Sequence, residues 1–158
     1  MTAGTPADRR AAYLAKETAI SIVINAVLSF AFFLLLIGLP AAVPVPGNGG
    51  YAFDFVPQSF MIALMSALVP GFITAGRVRG GTIAGQPEGS GAIVLRSVLT
   101  AIAAGLVGAG IAGVLLASSV ATLPLVPALA AKILYGMVLA LVVTPIGLAR
   151  SLRSTEFA

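Results

Sequence analysis

Four uninterrupted apolar runs, at about residues 20–39, 55–75, 92–117 and 128–148, constrain this chain more than any other feature. Crossing a hydrocarbon core of about 30 Å takes about 20 helical residues, and each run supplies them. In lipid every backbone N–H and C=O has to be paired within the chain. The runs are too long and too evenly apolar for the alternating strands of a barrel. The expected fold is therefore an all-α membrane protein, a four-transmembrane-helix bundle occupying residues 1–158 as one membrane domain. Only 9% of the residues are charged, against about 25% in a soluble domain, so no water-exposed surface can be assembled.

Glycine and proline punctuate the connections. PAAVPVPGNGG (40–50) and SSVATLPLVP (118–127) read as turns, and RVRGGTIAGQPEGSG (77–91) as a flexible polar loop. Arg9, Arg10, Lys16, Arg77, Arg79, Arg96, Arg150 and Arg153 fall at one end of the spans, and Lys132 alone at the other. Positive charge is retained in the cytoplasm, which predicts an inner-membrane protein with both termini and the 77–91 loop inside. The first run is longer than a signal-peptide core and prolines crowd any cleavage site, so it reads as a retained span. Thr5-Pro6-Ala7-Asp8 combines a cap residue, a first-turn proline and an acid, which predicts a helix starting near Pro6.

In the third run, Ser97, Ala101, Gly105, Ala109, Gly113 and Ala117 recur every fourth residue, and Thr100, Ala104, Gly108 and Ala112 form a second small row. Small residues let helices approach closely in lipid, so the third span is expected to be the packing centre. The same face offers itself to a second copy of the chain or to a membrane-protein partner. Pro70 and Pro145 are expected to kink the second and fourth spans, with Ser66 and Thr144 satisfying the freed carbonyls. The equal spacing of Pro70/Pro145, Gly38/Gly113 and Asn25/Thr100 suggests two tandem two-helix hairpins, although apolar composition produces such matches by chance. DFVPQSFMIALMSALVP (54–70) and TPIGLARSLR (144–153) resemble small bacterial inner-membrane proteins built from two-helix hairpins, a resemblance that implies no activity.

Histidine and cysteine are absent, which removes imidazole bases, thiolate nucleophiles and zinc clusters. Gly80 and Gly85 have the spacing of a phosphate loop, but Gln86-Pro87 stands where Lys-Ser/Thr is needed. No catalytic residue, cofactor, metal or nucleic-acid partner is expected, and the lipid bilayer is the expected environment. Ser21, Asn25 and Ser29, with Thr100, read either as a polar track or as interhelical hydrogen-bond glue worth about 0.6 kcal/mol each. Asp54 and Lys132, alone among charges at their end, are candidates for an ion pair. The alternative is a helix-capping Asp54 and a snorkelling Lys132. Glu17 and Arg96 are the corresponding candidates at the other end. The reading that follows is a non-enzymatic accessory or scaffold bundle, with a small transporter or channel for an uncharged or small solute as the alternative.

Overall fold

The computed structural model describes residues 6–47, 49–82, 84–85, 88–151 and 155–156. Its four helices are α1 (Pro6–Leu36), α2 (Phe55–Arg79), α3 (Ser90–Ala117) and α4 (Leu125–Ser151). All four are long and apolar enough to cross a bilayer, and the chain is a multi-pass membrane protein. The helix start at Pro6 agrees with the sequence reading, while Thr5 lies outside the described residues. α1 ends where the N–H groups of Ile37 and Gly38 both bond the Phe33 carbonyl, at 2.9 and 3.1 Å. Gly38 adopts φ +78°, a left-handed conformation that closes helices and strains any residue with a Cβ.

Short strands tie the connections together at both ends. β1 (Ala42–Pro44) pairs antiparallel with β3 (Thr122–Pro124), Val43 opposite Leu123, so the α1–α2 and α3–α4 connections clasp each other. This capped end buries Val43, Val45, Tyr51 and Ala52 against the helix tips. At the opposite, basic end, β2 (Ala84–Gly85) pairs with β4 (Thr155–Glu156). Part of the 77–91 loop is thereby tied down, while residues 83, 86 and 87 lie outside the described set.

The packing order corrects two expectations. α1 lies mainly against α4, α4 against α2, and α2 against α3, whereas α1 and α2 touch only sparingly. The two sequence hairpins therefore interleave instead of packing as separate units. The hub is α2, which buries 44% of its span against 22–28% for the other three.

α3 sits at one side of the bundle, and only part of its small row is used. Ser97 and Ala101 are buried and Gly105 half-buried, but Ala109, Gly113 and Ala117 are exposed. The buried face passes instead to Ala104, Gly108 and Ala112. The reason is geometric: four residues turn a helix through about 400°, so an every-fourth-residue row drifts about 40° per step. Six such positions cannot all face one straight neighbour.

Two glycines set how closely the helices approach. A Cβ on Gly108 would strike the Phe55 carbonyl and Ser59 Oγ on α2. One on Gly136 would strike Ser29 on α1 and come within 3.1 Å of Ile62 Cδ1. Nothing lies within 4 Å of the corresponding position on Gly110 or Gly113. Gly108→Ala and Gly136→Ala are each expected to destabilise the bundle by about 1–3 kcal/mol through overpacking. Gly113→Ala is expected to be neutral or slightly stabilising. Thermal unfolding in detergent measures all three; equal behaviour at Gly108 and Gly113 would contradict the packing order.

Candidate functional site

Glu17, Ser21, Asn25 and Ser29 follow at four-residue spacing and form one buried polar line along α1. They face α4 and α2, which divide them into two clusters. In the midspan cluster Asn25 Nδ2 donates to the Ser21 carbonyl (2.8 Å) and to Ser66 Oγ (3.0 Å). Thr144 Oγ1 donates to Ser21 Oγ at 2.7 Å, so α1, α2 and α4 are stitched together at this level. Pro70 and Pro145 lie inside continuous helices, one turn or less beyond Ser66 and Thr144. These hydroxyls were expected to serve the carbonyls freed by the prolines. Both bond across helices: Thr144 gives its proton to Ser21, where it is not available to a carbonyl of its own turn, and Ser66 Oγ accepts from Ser21 and Asn25. Thr100 stays outside the line: its hydroxyl bonds the Arg96 carbonyl at 2.8 Å, on a helix that packs against α2.

The second cluster lies toward the capped end. Lys132 Nζ is 2.9 Å from Asp54 Oδ2, with the two side chains 0% and 2% exposed. Asp54 stands immediately before α2, yet its carboxylate makes no capping bond. It is turned to the lysine. Lys132 does not snorkel either. α4 begins at Leu125, earlier than its apolar run implied, because Pro127 is tolerated in the first helical turn where no N–H is needed. Lys132 is thereby set about two turns inside the helix.

Aromatic rings close around the ammonium, Phe55 with its centroid at 3.4 Å and Tyr51 at 4.8 Å, both positioned for cation–π attraction. Tyr51 packs edge-on to Phe55 and Phe55 edge-on to Tyr135, with centroids 5.4 and 5.1 Å apart. Tyr51 donates to the Ala128 carbonyl at 3.0 Å.

Gln58 links this cluster to the line on α1. Its Nε2 donates to Ser29 Oγ at 3.0 Å and to the Lys132 carbonyl at 3.3 Å. These two acceptors fix the amide's orientation and leave Gln58 Oε1 without a partner. Lys132 Nζ meets Asp54 through Oδ2 alone, so Asp54 Oδ1 and the remaining N–H groups of the ammonium also keep unused capacity. Gln58 was missed in the sequence, although its place one turn after Asp54 puts both on one helix face. Between the two clusters, Ile62 (0% exposed) and the tight Gly136 contact form a dry turn.

At the basic end Glu17 pairs with Arg77 (3.2 Å), and Arg77 stacks over the Tyr13 ring at 5.1 Å. Arg96 pairs with Glu88 at 2.8 Å, so the expected Glu17–Arg96 pair gives way to two others. Between α1 and α2 a cleft of about 210 Å³ runs from Glu17 past Ser21, Asn25 and Ser66 to Leu28 and Met65. Set against known family models, curated proteins and solved structures, the chain matches none.

Burial, and then the Asp54 carboxylate, push the Tyr51 phenol up to about 12. The folded chain therefore holds this proton more tightly than the unfolded chain, where tyrosine ionises near 10. The associated stability is complete below about pH 10 and is lost as pH rises toward 12. Phenolate absorbance is expected to show a late-ionising tyrosine that Tyr51→Phe removes. Asp54→Asn and Lys132→Met are each expected to cost about 3–5 kcal/mol, since either leaves a buried charge unanswered. The double variant is expected to recover most of that loss in chemical unfolding, and a simple sum of the two losses would show that the charges do not interact.

Proposed function

We propose that this chain is a small non-enzymatic transporter of the inner membrane, its termini cytoplasmic, that passes an uncharged polar solute along the interface of α1, α2 and α4. The observation that carries this reading is the Asp54–Lys132 pair, fully buried on the same side of the bundle as the polar line of α1. Such a pair is a poor investment in stability, because apolar residues of similar volume are commonly as stable or better. Ionisable groups within a membrane span instead mark substrate and ion paths.

Three features support an uncharged solute. The line consists of hydroxyls and amides, Ser21, Asn25, Ser29, Gln58, Ser66 and Thr144, which offer donors and acceptors without net charge. The charges at its two ends are compensated in pairs, Glu17 with Arg77 and Asp54 with Lys132. Asp54 Oδ1, Gln58 Oε1 and Lys132 Nζ retain hydrogen-bonding capacity that a polar solute would use. In this reading the ion pair and Gln58 hold the solute at the capped end, and Ile62 is the barrier between clusters.

A second reading, an accessory or scaffold component, is favoured by the exposed half of the α3 row. Ala109, Gly113 and Ala117 leave a smooth strip on which a helix of another copy or of a partner protein would seat.

Light scattering from proteoliposomes challenged with glycerol or urea separates the readings. Transport predicts swelling faster than in protein-free vesicles, abolished in the Asp54→Asn/Lys132→Met double variant and retained in Gly113→Leu. Background swelling with both solutes from a folded, monodisperse preparation would remove the transport reading. The accessory reading predicts a protein that co-purifies in mild detergent and is lost in Gly113→Leu.

A further inference from the structure

We infer that the cleft between α1 and α2 is a binding site for a small, neutral, mostly apolar molecule carrying one hydrogen-bond donor, which enters from the bilayer. The cleft exists because α1 leans on α4 and meets α2 only sparingly. Its rim is formed by Ile20, Ile24, Met65, Val69 and Ile73, all well exposed apolar side chains within membrane spans. The opening therefore faces hydrocarbon, and what enters comes from there.

Size, charge and hydrogen bonding narrow the occupant. An apolar cavity of about 150 Å³ holds benzene, whereas drug-sized ligands occupy about 300–1,000 Å³. At about 210 Å³ the cleft suits a molecule of one or two fused rings. The charged residue in its lining, Glu17, is already answered by Arg77, so an ionic head finds no counter-charge to exchange.

Asn25 sets the polar requirement. Its amide N–H groups are committed to the Ser21 carbonyl and to Ser66 Oγ, which fixes Oδ1 as an acceptor. Among the cleft-lining residues, Oδ1 is the buried polar atom without a partner. Asn25 lines the cleft while Oδ1 itself is closed off from it, so in this inference the ligand's O–H or N–H reaches it as α1 and α2 part. Their sparse contact permits that movement.

This inference does not rest on transport: saturable binding without flux leaves it standing and removes only the transport reading. Indole is a suitable probe, having two fused rings and one N–H, and 1-methylindole is its donor-free counterpart. The chain contains no tryptophan, so indole emission in the detergent-solubilised protein reports the probe alone. Saturable, blue-shifted indole emission is expected, with 1-methylindole bound roughly 3- to 10-fold more weakly for want of one hydrogen bond. Val69→Phe, which fills the cleft from its rim without touching the hydrogen-bond network, is expected to abolish the saturable component for both probes. Asn25→Leu is expected to bind the two probes equally. Equal affinity of the wild-type protein for both, or uptake that is the same in wild type and Val69→Phe, would overturn the inference.

Discussion

An ammonium two turns inside a lipid-embedded helix has to be answered where it sits, and the capped end of the bundle is organised around that requirement. Asp54 is the answering charge, and it lies in a connection rather than in a helix. The connection must therefore be held in place as firmly as a core element. The β1–β3 clasp does this from above, and Val43, Val45, Tyr51 and Ala52 pack the segment down from within. Tyr51 and Phe55 then shield the ammonium from the hydrocarbon with ring faces, which stabilise a cation where aliphatic carbon would not.

The same arrangement explains why the helices interleave. Lys132 belongs to α4 and Asp54 precedes α2, so their pairing draws α4 against α2 at the centre of the bundle. Gly136 then admits α1 beside that contact, against Ser29, and Gly108 admits α3 to α2. With α1 committed to α4, its polar line meets α2 only through single side chains such as Ser66 and Gln58. The cleft is the space that commitment leaves.

The spans, their number and the concentration of basic residues at one end could be read directly, because hydropathy and charge placement are local properties. The Asp54–Lys132 association stood as one of two readings, since no other charges shared their end but a capping Asp54 and a snorkelling Lys132 fitted the residues as well. Its burial was not legible. Proline was read as loop punctuation at 124–127, whereas Pro127 opens a helix and carries Lys132 deeper than the onset of the apolar run suggested. The small-residue row misled for a related reason. A four-residue period matches a helix over one or two steps and departs from it over five, so Ala109, Gly113 and Ala117 left the face that Ser97 and Ala101 began. Gln58 carries no charge and sits among apolar neighbours. Its importance appears only once Ser29 and the Lys132 carbonyl are beside it.

In the proposed transport reading, stability and function make opposed demands on this interface. A pair held only for stability would have its remaining hydrogen-bonding atoms satisfied, because each buried unpaired group costs about 1–3 kcal/mol. Here Asp54 Oδ1, Gln58 Oε1 and the ammonium are all left with capacity, within one cluster and on the line that continues through Ser29. At the other cluster Asn25 Oδ1 is in the same condition. Along this line the unspent capacity thus lies on both sides of the dry turn at Ile62; Ser97 Oγ on α3 is a further buried hydroxyl without a partner. A polar molecule occupying either cluster would recover that energy, whereas Ile62 offers it nothing. Two polar stations separated by an apolar step can hold a solute without joining into a continuous water-filled pore, which suits a carrier better than an open channel.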